Sequence, residues 1–252
     1  MAANQFLKQL VKTYLRKKDR RYLIREAFTF TGKKGIEIGG PSAIFNLKAG
    51  MPLYFFAKQV DGVNFSDSTI WEGTITKGYN YNYFENKKGY QYISEATNLS
   101  EIAGNKYDFL LSSHCLEHVA NPLKAIYEWK RVLKKDGKLI LVLPEKENTF
   151  DHKRPFTSFE HILQDFNDKV DESDDTHFEE IIQLHDYSRD LGVNGAEAFK
   201  IRLKSNYINR CAHQHVFNFD VITKMLNYCG FTVKHQQRLP PYHLITVAKK
   251  VN

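Results

Sequence analysis

The sequence predicts an α/β fold, with a mostly parallel central sheet, helices on both faces and an antiparallel C-terminal hairpin strand. Three observations predict it. An apolar strand run, "KKGIEI", ends in the glycine turn "GG" at 39–40. Two further apolar runs, "YDFLLSS" (107–113) and "KLILVLP" (138–144), bracket a segment with helical spacing. The last segment, "TVKHQQRLPPYHLITVAKK" (232–250), reads as a closing pair of strands. Strands alternating with helices around one apolar sheet make a layered α/β architecture.

Taken in order, residues 1–30 read as a basic helical segment, with Leu7, Leu10, Val11, Leu15 and Leu23 on one stripe and Lys and Arg opposite. Such a helix packs on the domain or meets an anionic partner or a membrane surface. After the strand at 33–38 and its turn, a helix is expected to follow "GGPSAIF". Residues 47–90 are aromatic-rich and loop-like, with a short strand near "VDGVNFS" (60–66). "YQYISEATNLSEI" (90–102) reads as strand, turn and short helix.

The helix after 120 is the best defined. Asn121 suits the N-cap and Pro122 the first helical position. Leu123, Ile126, Trp129 and Leu133 keep helical spacing, and Asp136-Gly137 is expected to end the helix with Gly137 left-handed. "KLILVLP" is apolar at every position from Leu139 to Leu143, as a strand covered on both faces requires. Residues 145–212 are polar and histidine-rich, and read as a lid or substrate insertion in a single domain spanning 31–252. "FNFDVITKMLNYCGF" (217–231) reads as a helix stopped by Gly230.

Composition narrows the function classes. Hydrophobic residues are 42% and charged residues 26%, which fits a water-soluble globular chain with a substantial core. No apolar run reaches the roughly 20 residues of a spanning helix. Cys115, Cys211 and Cys229 are an odd set with no framework spacing, so reduced thiols and a cytoplasmic setting are expected. The net charge of +7 admits an anionic partner but does not choose one.

Two stretches carry chemistry. In "GIEIGGPSAIF" (35–45) an acid and a glycine turn follow a strand, a place where backbone approaches a ligand closely. The dinucleotide pattern G-x-G-x-x-G is absent: only its first glycine, Gly39, is in register, and Pro41 offers no N–H to a pyrophosphate. The second stretch is Asp108-Phe109, then Leu116-Glu117-His118-Val119, Asn121-Pro122, and Arg131-Val132-Leu133-Lys134 with Gly137. In that order and spacing it resembles the class I S-adenosylmethionine-dependent methyltransferases, in their small-molecule, methyltransferase type 11-like branch. The resemblance covers about residues 33–145 and 215–250, and implies a Rossmann-like methyltransferase fold using S-adenosyl-L-methionine and releasing S-adenosyl-L-homocysteine.

By position the resemblance implies a cofactor site. Glu37 and Gly39, with Gly40 and Pro41 in the loop, would lie beside the methionine end. Asn64 stands where the family has a ribose-binding acid, with Asp61 as the alternative. Glu95 and Ala96 match the adenine-binding pair, and Ser112, Ser113 and His114 match the strand end that lines the pocket.

The lid adds "DHKRPFTSFEHILQDF" (151–166) and "CAHQHVF" (211–217). One reading is an acceptor site. Its base would be His152, His215 or His118, and Arg154, His161 and His213 would bind the substrate. Another is a divalent metal held by His and Asp at a diol oxygen. A third is histidines that only satisfy the fold. No H-x-x-x-H or C-x-x-C pattern occurs there, so no metal is expected.

The expected activity is methyl transfer to oxygen of a small polar acceptor, such as a sugar or an anionic metabolite. Nucleic-acid methylation is the rival within enzymes. Against it, Ser112-Ser113-His114-Cys115 stands where base-amino methyltransferases carry (N/D)-P-P-Y, and "LPPY" (239–242) falls in the final hairpin. A non-catalytic binding protein on the same fold is the other alternative. No nucleic acid is expected as partner. Cys115 has no claim as nucleophile, since transfer from a sulfonium needs no covalent enzyme intermediate.

Overall fold

A computed structural model of the chain describes residues 20–190 and 192–251. The proposed basic helix therefore lies mostly outside the described residues, as does any membrane contact through it. Its C-terminal part is helix α1 (Arg21–Phe28), whose Leu23 is fully buried.

Ten strands follow: β1 (Lys34–Ile38), β2 (Gln59–Asn64), β3 (Ser68–Thr69), β4 (Gly73–Thr74), β5 (Gly78–Phe84), β6 (Lys87–Ile93), β7 (Tyr107–Ser113), β8 (Leu133–Pro144), β9 (Phe231–Leu239) and β10 (His243–Lys250). Eight form one sheet in the order β5-β6-β2-β1-β7-β8-β10-β9, and β3 and β4 pair separately. β6, β2, β1, β7 and β8 run parallel. β10 is antiparallel to both β8 and β9, and β5 is antiparallel to β6. The predicted parallel sheet with its C-terminal hairpin is thus observed, with β5 added at the far edge.

Side-chain alternation builds two cores. Leu139, Leu141 and Leu143 of β8 face one side with Ile36 and Ile38 of β1. Ile140 and Val142 face the other with Phe109 and Leu111 of β7. This is why β8 reads as a continuous apolar run. The first face is covered by α3 (Pro122–Val132), α4 (Phe159–Asn167) and α8 (Phe219–Tyr228). The second is covered by α1 and the short α2 (Leu53–Phe56).

Four local expectations are corrected. Only a three-residue 3-10 turn, Ala43–Phe45, follows the glycine loop, so no helix N-terminus points into it. No helix forms between 94 and 102. α3 stops at Val132, because backbone N–H groups of Asn105 and Lys106 bind the Arg131 and Val132 carbonyls and draw the chain into β8. Asp136, at φ 60°, takes the left-handed position expected of Gly137. The start of α3 is as expected: Asn121 Oδ1 accepts from the Lys124 N–H at 3.0 Å, with Pro122 first in the helix.

The polar segment after β8 holds α4, α5 (Phe178–Leu184), α6 (Ala196–Lys204) and α7 (Asn206–Asn209). α4 joins the main core through Ile162. The rest has a small core of its own around Ile181, Phe199, Leu203 and Ala212. No helix among the described residues is long and apolar enough to cross a membrane. All three cysteines are unpaired.

Candidate active site

The carboxyl ends of β1, β2, β6 and β7 open into a cavity of about 830 Å³, closed over by parts of the lid. This is the edge where open parallel sheets bind ligands. Its volume suits a cofactor together with a small molecule.

The residues expected to hold the cofactor divide into wall and support. Gly39, Asn64, Glu95, Ala96, Ser113 and His114 line the cavity. Gly39 has φ +77°, the left-handed region, and a Cβ there would meet Cys115 Sγ at 2.9 Å. Asn64 Nδ2 donates to the Gly40 carbonyl at 3.2 Å, tying the β2 end to the glycine loop. Glu95 is held by Arg210 of the lid, with Nη2 and Oε1 2.5 Å apart.

Glu37, Gly40, Pro41, Asp61 and Ser112 sit behind this wall. Glu37 is fully buried under the loop and accepts from Tyr54 Oη, Tyr81 Oη (2.7 Å) and the Ser42 N–H (3.1 Å). Burial lifts its pKa, and these hydrogen bonds oppose the rise. Gly40 leaves room for this carboxylate, since a Cβ would fall 2.2 Å from Glu37 Cδ. Glu37 therefore holds the loop from beneath. Asp61 accepts from Gln59, the Tyr90 N–H and Tyr107 Oη, all away from the cavity. Tyr81→Phe removes one donor from a buried carboxylate. It should cost about 1.5–3 kcal/mol, read as a lower urea midpoint at unchanged slope. A midpoint unchanged within error would show that Tyr81 does not hold Glu37.

At the other end the wall is made by His114, Glu117, His118, Phe150, His213 and Tyr242. His213 Nδ1 lies 2.5 Å from Asp151 Oδ2, which leaves Nε2 for a ligand. Asp151 is fixed in turn by Arg154 Nη1 at 3.0 Å. Burial pulls the His213 pKa down, but the Asp151 carboxylate outweighs it and the net shift is upward. Asp151 is held at about 2; burial pushes it up, and His213 and Arg154 outweigh that. His118 is bound through Nδ1 to the Ala212 carbonyl at 3.1 Å, and burial takes its pKa down to about 4. It is therefore neutral near pH 7.

Glu117 is fully buried, and neither carboxylate oxygen has a hydrogen-bond partner. The His114 Nδ1 is the near neighbour, at 3.5 Å. Glu117, His118 and His213 bring ligand atoms within 4.8 Å of one another. A buried, unsatisfied carboxylate is costly without a partner, so this wall is built for a polar or cationic group. Burial also raises the Cys115 thiol far above its ordinary pKa, so it stays protonated.

Of the three candidate bases only His118 lines the cavity. His152 pairs with Asp186 at 2.7 Å outside it. His215 is buried with Nε2 on the Ala120 carbonyl at 3.1 Å. Among the substrate candidates, His213 lines the cavity. Arg154 is buried as a tie to Asp151, Glu180 (2.9 Å) and the His213 carbonyl (2.7 Å). His161 faces His177 instead, with ring nitrogens 2.7 Å apart. Asp151 was not named among the sequence-derived candidates, while for Glu117 the sequence leaves open a structural pair with His118 or a contact with the acceptor. The signal for Asp151 was the "DHKR" that follows the β8 strand end.

Residues 49–141 match the family model of a methyltransferase domain. No curated protein matches the chain. Among solved structures, a SAM-dependent methyltransferase from Aquifex aeolicus is similar at 14% identity and TM-score 0.48, with 98% of each chain covered. An S-adenosylmethionine-dependent methyltransferase from Mesorhizobium loti is similar at 12% identity and TM-score 0.49, covering 92% of this chain and 95% of that one. The Burkholderia thailandensis 1,6-didemethyltoxoflavin-N1-methyltransferase, with bound 1,6-didemethyltoxoflavin and S-adenosylhomocysteine, is similar at 13% identity and TM-score 0.46, covering 100% and 90%. At such identities and scores these likenesses add no weight to the family match and the sheet order. The chain thus carries a methyltransferase-domain match over residues 49–141, within a mostly parallel sheet of the order given above.

Proposed function

We propose that the chain transfers the methyl group of S-adenosylmethionine to a hydroxyl oxygen of a small polar molecule, with a sugar or related metabolite as the first class to test. The observation that carries this reading is the His213–Asp151 pair on the cavity wall beside Glu117 and His118. The bound cofactor supplies an activated methyl carbon on a sulfonium. Gly39, Asn64, Glu95, Ala96, Ser113 and His114 would hold it along the strand ends. Asp151 fixes the His213 ring so that Nε2 can take the acceptor hydroxyl proton. The oxygen so freed would be the nucleophile that receives the methyl group, with S-adenosylhomocysteine as the neutral leaving group. Glu117 would accept hydrogen bonds from neighbouring acceptor hydroxyls, and the lid would exclude water. With the acceptor aligned, positioning and proton removal supply the acceleration.

A second reading is favoured by the unpartnered Glu117 oxygens. With His118 and His213 they could seat a divalent cation that holds an acceptor diol. Turnover that rises on adding Mg2+ or Mn2+ favours it over the histidine base.

The test is calorimetry with S-adenosylhomocysteine, followed by methyl-labelled cofactor and a panel of sugars, hydroxylated acids and RNA. Saturable binding with label on oxygen of a small molecule is expected. Failure to bind either cofactor form rejects the reading. Label on RNA, weakening steeply with salt, supports nucleic-acid methylation instead.

A further inference from the structure

A second constellation lies outside the cavity, in the lid. His161 and Asp165 stand one turn apart on α4, His177 precedes α5, and His215 lies on the stretch leading to α8. Each offers one ligand atom, and the four atoms lie within 4.8 Å of one another. None of the four lines the cavity.

The hydrogen bonds around them leave ligand atoms bare. His215 gives Nε2 to the Ala120 carbonyl at 3.1 Å, so Nδ1 carries a lone pair. That Nδ1 is buried without a partner, on a residue only 1% exposed. His177 gives Nδ1 to Asp174 Oδ2 at 3.2 Å, so its Nε2 also carries a lone pair. That atom meets His161 Nε2 at 2.7 Å. Asp165 Oδ2 is 3.5 Å from His161 Nε2, is itself unpartnered, and belongs to a residue 6% exposed. The unpartnered Asp165 Oδ2 thus lies 3.5 Å from His161 Nε2 and 3.8 Å from His215 Nε2, beside the His161–His177 imidazole pair. A core that buries polar groups normally satisfies them.

We propose that His161, Asp165, His177 and His215 bind a structural zinc ion. Three imidazole nitrogens and one carboxylate oxygen are a four-coordinate zinc donor set. Zinc bonds of roughly 2.0–2.2 Å set tetrahedral ligands about 3.3–3.6 Å apart, a separation the cluster reaches with small side-chain shifts. Asp174, on Nδ1 of His177, acts as an outer partner that fixes the tautomer of a zinc-bound histidine. His161 is exposed, which gives the ion a way in. All four positions are taken by protein, so the site is structural. It clamps α4, the start of α5 and the segment 211–217 together, and that segment carries His213. The i, i+4 spacing of His161 and Asp165 is the sequence trace of the site. His177 and His215 are too distant in sequence to complete a recognisable pattern.

The full chain, expressed without a polyhistidine tag, should purify with about one zinc per chain by elemental mass spectrometry. Exchange for Co2+ should give the visible absorption of a tetrahedral cobalt centre. Asp174→Asn, which leaves all four ligands in place, should weaken zinc about 10–100-fold in a chelator competition. His161→Ala with His177→Ala should abolish stoichiometric binding. Because His215 is buried, the tests use these outer positions, and the circular dichroism of each variant reports folding separately. The proposal fails if the folded chain neither retains nor takes up one equivalent of Zn2+. It fails equally if folded His161→Ala/His177→Ala protein binds Zn2+ as tightly as the parent.

Discussion

Asp151→Asn is expected to lower kcat by roughly 10²–10⁴-fold while S-adenosylhomocysteine affinity stays within experimental error of the parent. Asp151 is 2% exposed and touches His213 and Arg154, not the cofactor end of the cavity. The amide keeps the volume of the carboxylate, so the fold should survive. Its NH2 group can donate to the His213 Nδ1, which would leave the proton on Nε2 and aim a donor at the acceptor hydroxyl. A base in that tautomer cannot take a proton. His213→Gln should cause a loss of the same order. The double variant should be little worse than either single one, because the two groups act as a unit. His152→Ala is the control, since His152 is bound to Asp186 outside the cavity, and it should leave kcat unchanged. If both variants at 151 and 213 turn over within about tenfold of the parent, proton removal by this pair is not needed.

The cofactor edge was far more legible in the sequence than the acceptor end. Strand ends at Ile38, Asn64, Ile93 and Ser113 are set by apolar runs, and a parallel sheet brings those ends together. Gly39, Asn64, Glu95, Ala96, Ser113 and His114 therefore reach one cavity without any long-range information. Depth along a strand was harder to read. Asp61 lies three residues before the end of β2, and its carboxylate is taken by Tyr107 Oη and the Tyr90 N–H. Glu37, though one residue from the β1 end, alternates inward and meets Tyr54 and Tyr81.

The proposed acceptor wall depends on a contact between residues 62 apart, Asp151 and His213. Nothing local distinguishes His213 from His215. Successive side chains of an extended segment point opposite ways, and only the docked lid decides which faces the cavity. The same parity sends His215 to the cluster with His161 and Asp165.

Trp129→Ala is expected to cost about 3–5 kcal/mol of stability and to weaken cofactor binding as well. The indole is fully buried between α3 and the sheet, and its Nε1–H donates to the Ala96 carbonyl at 3.0 Å. Ala96 lines the cavity, so one side chain supports both the core and the cofactor wall. Alanine leaves a void and an unpaired carbonyl. Set against total stabilities of roughly 5–15 kcal/mol, that is a large fraction. Trp129→Phe separates the two effects. Phenylalanine refills much of the volume but donates no hydrogen bond, so it should recover most of the packing energy. The Ala96 backbone would stay unanchored, and S-adenosylhomocysteine affinity should remain reduced. Urea unfolding and calorimetry on the three proteins read these quantities independently. Full recovery of affinity in Trp129→Phe would mean that packing alone sets the position of Ala96. Recovery of stability without affinity would show that the indole N–H holds the wall.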